Sequence, residues 1–214
     1  MAIAFDTSGS GTGANSASVS LTAAAANEVA IIVVDLLSTD TIGTPTVGGS
    51  STGVTQIGSD FTNSGQTVRF YYLVNPPTTS SAYAVSGATD GIQIYVELFS
   101  GASTTSPIDS NNTGTSATTN ITLSTTVVAS NCWLMSFFRC FGSGINDNAG
   151  GAGTTLRQTI ASSSIGDSNA TVGTGSQSMS WTGGRQTSHG FIISIAPPSV
   201  ATANIPTLLT LNVG

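Results

Sequence analysis

Large apolar residues in this chain fall in short runs, separated by clusters of Gly, Ser, Thr and Asn. The clearest runs are VAIIVVDLL (29–37), TVRFYYLV (67–74), IQIYVELF (92–99), CWLMSFFRCF (132–141) and GFIISIA (190–196). Weaker ones lie at 2–6, 17–22, 53–58, 81–86, 118–128, 154–160 and 176–182. Short runs between Gly-rich turns predict an all-β chain, folded as a two-sheet antiparallel β-sandwich. One segment competes for helix, LTAAAANEVA (21–30), whose four alanines favour it. That segment runs straight into β-branched residues, which favour a strand. NPP (75–77) and APP (196–198) each close an apolar run, because proline cannot donate to a central ladder. The expected organisation is a single sandwich domain over 1–198, followed by an extended tail or arm over 199–214.

A strand with one wet face alternates apolar and polar residues. The runs at 29–37 and 132–141 scarcely do so. Their second face needs a cover: long loops, a third layer or a neighbouring subunit. In a chain so poor in charge, a neighbouring subunit is the expectation. Alternation along 132–140 places Trp133, Met135, Phe137 and Arg139 on one face, the expected subunit interface, with Arg139 reaching an acid or a carbonyl. Leu208, Leu209 and Leu211 of the tail are expected to join that interface by adding to a neighbour's sheet edge. The other face carries Cys132, Leu134, Ser136, Phe138 and Cys140.

Composition narrows the partners. Charged residues make up 7% of the 214, lysine is absent, and the net charge is −6. No basic patch can form, so nucleic acid is not an expected partner. Ser and Thr, 32 and 33 residues, supply the polarity that charges usually supply. No run approaches the roughly 18 apolar residues of a membrane helix, so membrane insertion is not expected. The start lacks the cationic and long apolar stretches of a secretory leader, so the expectation is a chain that acts inside the cell, leaves by lysis or leader-free export, or is given without its leader.

Candidate chemistry is sparse. The one histidine, His189, has serines all around it but no G-x-S-x-G elbow, and its role stays open. Glu28 and Glu97 are the only glutamates, and no second acid lies two or four residues from Glu97, so a paired-carboxylate glycosidase is unsupported. The segments 109–114 and 145–150 offer one aspartate each, too few for calcium and ordinary for turns. Without lysine there is no phosphate loop. Cys132 and Cys140 in one strand would stand about 26 Å apart at roughly 3.3 Å per residue. A disulfide needs Cα atoms within about 7 Å, so the cysteines are expected as buried apolar filler. No catalytic residue, metal or cofactor is expected. Tyr95, Glu97 and Trp181 are the candidates for glycan contact, should the sandwich bind sugar.

Four stretches in order carry a resemblance: AIAFDTSGSGTG (2–13), RFYYLVNPPTTSSAYAVS (69–86), VELFSGASTTSPIDSNN (96–112) and MSWTGGRQTSHGFIISIAPP (179–198). Together they resemble Gly/Ser/Thr-rich β-sandwich domains found in phage virion proteins and in large bacterial surface proteins. The bulky run at 132–141 departs from that pattern, which is Val-rich there. The resemblance implies a jelly-roll-like sandwich with a structural or adhesive role and no catalytic residues. The expected function is a capsid decoration or cement subunit of a tailed bacteriophage, located in the virion. Its expected partners are itself, as a homo-oligomer, and a major capsid or other virion protein. The alternatives are a carbohydrate-binding or host-adhesion module on a fibre, extracellular or at a cell surface, and a secreted filament subunit that assembles by strand exchange.

Overall fold

The computed structural model describes residues 2–118, 120–141, 148–183 and 187–199. The chain is all-β and antiparallel, and no helix forms at 21–30, where a bend connects two strands. The first half supplies β1 (Ala4–Gly13), β2 (Ser16–Leu21), β3 (Val29–Leu36), β4 (Thr46–Val47), β5 (Thr55–Asn63), β6 (Gln66–Val74), β7 (Ser81–Ser86) and β8 (Ile92–Ser100). The second half supplies β9 (Ile108–Ser116), β10 (Asn120–Val127), β11 (Cys132–Phe141), β12 (Ala149–Gly150), β13 (Thr155–Ile160), β14 (Ser163–Val172), β15 (Gly175–Thr182) and β16 (Thr187–Ile195). They form four sheets, ordered β1-β8-β3-β6-β5, β2-β7-β4, β13-β14-β11-β16-β9 and β10-β15-β12.

The two five-stranded sheets pack face to face, and each is backed by a three-stranded sheet. Within each half, the five-stranded sheet over its three-stranded partner has a jelly-roll winding. The sandwich expected over 1–198 is therefore two sandwiches in a four-layer stack, joined by residues 101–107.

This layering explains the strands that do not alternate. In β3, Val29, Ile31 and Val33 enter the central core, while Ala30, Ile32, Val34 and Leu36 enter the outer core of the first half. In β11, Trp133, Met135 and Phe137 enter the central core, while Cys132, Leu134, Phe138 and Cys140 enter the outer core of the second half. Outer strands have one wet face and do alternate, as β10 shows with Ile121, Leu123, Thr125 and Val127 inward. The subunit interface expected at Trp133, Met135, Phe137 and Arg139 is thereby corrected. The facing sheet of the same chain covers these residues, and none is more than 6% exposed. Leu208, Leu209 and Leu211, with the rest of the tail from 200 on, lie outside the described residues.

Candidate functional site

The seam between the five-stranded sheets holds the most concentrated polar chemistry. Asp35 on β3 and Arg139 on β11 meet there in a salt bridge. The Ser163 hydroxyl donates to the same Asp35 oxygen at 2.6 Å. The Tyr95 hydroxyl lies 2.9 Å from Gln93 Oε1 and 3.2 Å from the Ser163 carbonyl. His189 stands beside Arg139 in the ladder, with its ring edge-on to Phe61 at 5.5 Å. Burial pushes the Asp35 carboxyl up from its usual range, and Arg139 and Ser163 pull it back. Burial, reinforced by Arg139, drives the His189 imidazole down to about 3, so it is neutral over the physiological range. Asp35 and His189 have no solvent exposure at all. A pair buried this deeply holds two elements in register, and breaking it leaves an uncompensated charge.

A second cluster lies on the same seam. Arg157 on β13 grips Asp167 on β14 through two bonds, at 2.7 and 3.1 Å, with its guanidinium 3.8 Å over the Phe5 ring. Glu97 is fully buried nearby, and neither carboxyl oxygen has a hydrogen-bond partner among the described residues. Burial first, then Asp167, raises its carboxyl well above the usual range, against the pull of Arg157. Burial therefore disfavours the charged form of Glu97 in this sealed site.

The glycan candidates are corrected on the same grounds. Tyr95, Glu97 and Trp181 have no exposed surface, so none can meet a sugar. Trp181 instead donates from Nε1 to Ser136 Oγ at 2.9 Å and stacks on Phe138, 5.5 Å between centroids. Neither cysteine forms a disulfide, and both are buried in the outer core of the second half, as their spacing implied. The segment 109–114, expected to turn, lies within β9. Asp109 there accepts the Val128 and Ala129 amides at 2.8 and 2.9 Å. Residues 145–147 lie outside the described set, while Asn148 donates to Ser164 Oγ.

Among the described residues, no three His, Cys, Asp or Glu side chains are grouped to hold a metal ion. One cleft, about 820 Å³, is lined by residues including Ser103, Thr105, Ser130, Asn131 and Pro197, with no titratable side chain among the described residues of its wall. It offers hydroxyls, an amide and backbone groups, which suit binding better than proton transfer. The cross-seam pairing of Asp35 with Arg139 was half legible: a lone acid and a lone base each sit in a doubly apolar strand, so each needs a partner. Comparison with known proteins finds no matching family model, curated protein or solved structure.

Proposed function

We propose that this chain is a non-enzymatic structural protein of a virion, a decoration or cement subunit on the capsid of a tailed bacteriophage. One observation carries this reading: the side chains best suited to acid–base chemistry are locked inside the fold. Asp35, Glu97, Asp167 and His189 are all fully buried on the seam between sheets. The outward faces of the two three-stranded sheets carry small hydroxyl side chains. Ser16, Ser18 and Ser20 on β2, and Thr122, Ser124 and Thr126 on β10, line the outer surfaces of the stack. Such walls bind by hydrogen bonding and shape, with little long-range electrostatic attraction. The burial of Tyr95, Glu97 and Trp181 favours this role over sugar binding.

The test is location. Particles from a lysed source culture are banded on a density gradient, and the band is quantified by mass spectrometry. The chain is expected at a fixed copy number relative to the major capsid protein. Recovery only in the soluble fraction, away from every particle band, overturns the proposal.

A further inference from the structure

We infer that the chain is two copies of one eight-strand module, paired face to face about a two-fold axis like the subunits of a homodimer, with the Asp35–Arg139 contact on that axis. The strand order is the first support. Adding eight to each strand number in β1-β8-β3-β6-β5 and β2-β7-β4 yields β9-β16-β11-β14-β13 and β10-β15-β12, the sheets of the second half.

Unrelated jelly rolls share a winding, so irregularities are more telling. In the β1–β8 ladder, Phe5 faces Phe99 and Thr7 faces Leu98, with Asp6 bulged between them. In the β9–β16 ladder, Ile108 faces Ile195 and Ser110 faces Ser194, with Asp109 bulged between them. Both bulged residues are aspartates, and both do the same work. Asp6 accepts the Ala24 amide at 3.2 Å, and Asp109 accepts the Val128 and Ala129 amides, each just before the third strand of its half. The turn leading into the fifth strand also recurs. Val54 donates to Ser51 O around Gly53 at φ +82°, and Thr154 donates to Gly151 O around Gly153 at φ +72°, both at 3.1 Å.

The packing of the halves maps onto itself. β1 lies against β13, and β5 lies against β9; exchanging the halves turns one contact into the other. An interface of that kind is isologous. Register then fixes equivalent residues: Val33 and Asp35 face Tyr95 and Gln93, as Phe137 and Arg139 face Phe191 and His189. Asp35 and Arg139 are therefore the same position in two copies, and only at the axis can equivalent residues touch. Two identical copies would bury two like charges there. Asp in one copy and Arg in the other makes the observed cross-pairing the satisfied one.

The test is a charge swap in the full chain. D35R and R139D alone each lower the folded-to-unfolded ratio by two to three orders of magnitude, about the loss for breaking a buried pair. D35R/R139D is expected to regain at least half of that loss on a logarithmic scale, because exchanging residues across a two-fold axis restores the pair. R157D/D167R, a half-buried pair off the axis, is the control and is expected to regain nothing. Recovery in both swaps, or a folded D35R/R139D no more stable than the worse single variant, overturns the inference. If D35R/R139D does not fold, a circular permutant decides, running 104–214 and then 1–103 with no core residue changed. The connector at Ser103 bonds Ala196, and Gly101 abuts Ala2, so Ala2 and Ala196 both lie beside the connector. A monomer melting within a few degrees of the parent sustains the inference, and an unfolded or aggregated permutant refutes it.

Discussion

Between pH 7.5 and pH 5, acid should weaken this protein chiefly through one imidazole. His189 is neutral when folded down to about pH 3, since burial and the adjacent Arg139 oppose a second positive charge. The unfolded chain binds that proton near its ordinary value of about 6.5. Below that pH the unfolded state holds more protons than the folded one, so stability falls with falling pH. Between pH 7.5 and pH 5 the loss is RT ln(1 + 10^1.5), about 2 kcal/mol, and it depends little on where the folded value lies so long as it stays near 3. The perturbation is His189→Gln, which puts at this position the amide found at the matching register position, Gln93. Urea unfolding followed by tryptophan fluorescence gives the stability of each protein at pH 7.5, 6.5, 5.5 and 5.0. Carboxylates titrate in both proteins and cancel in the difference. Parent minus variant should fall by about 2 kcal/mol across that range, with a slope of about 1.2 kcal/mol per unit between pH 6 and pH 5. Parallel profiles for the two proteins would refute the assignment of a buried neutral histidine.

Glu97 has the opposite sign: its folded carboxyl is raised, so the folded state keeps a proton that the unfolded one releases above about pH 4.3. Stability should fall as pH rises above that value towards the folded pKa, and the melting temperature of Glu97→Gln relative to the parent should rise as pH is raised from 5. The Phe70 and Phe191 rings stack across the seam with centroids 4.0 Å apart. Replacing either by Ala should cost about 3–5 kcal/mol in chemical denaturation. Cys132 and Cys140 are buried and outside any disulfide, so a thiol reagent should label neither in native buffer and both in urea, as counted by intact mass.

The sequence betrayed strands wherever a core needs bulk. All five strong runs are central strands of the five-stranded sheets: β3, β6, β8, β11 and β16. Strands built from small polar residues were hidden. β9 reads IDSNNTGTS, and much of β1 reads SGSGTG. In β1 the glycines are there for proximity: a Cβ on Gly11 would lie 2.1 Å from Ser18 O, so the chain folds sharply onto β2. Propensity cannot register a requirement for empty space. The doubly apolar character of β3 and β11 correctly signalled a cover on both faces, but not whose surface supplied it. That answer depends on the pairing of residues 104 positions apart, Asp35 with Arg139, which no local pattern encodes.

The central core also sets a timetable for synthesis. The first half can close its outer core once β8 has left the ribosome, because β8 pairs with both β1 and β3. The face carrying Val33, Phe70, Tyr95 and Phe99 then has no cover until β16, ending at Ile195, has followed. At about 5–20 residues per second, that wait lasts on the order of 5–20 s. For that interval a greasy, nearly uncharged wall stands open beside other nascent copies of itself. Growth temperature and ribosome crowding should therefore govern the soluble yield of this chain more than its final stability does.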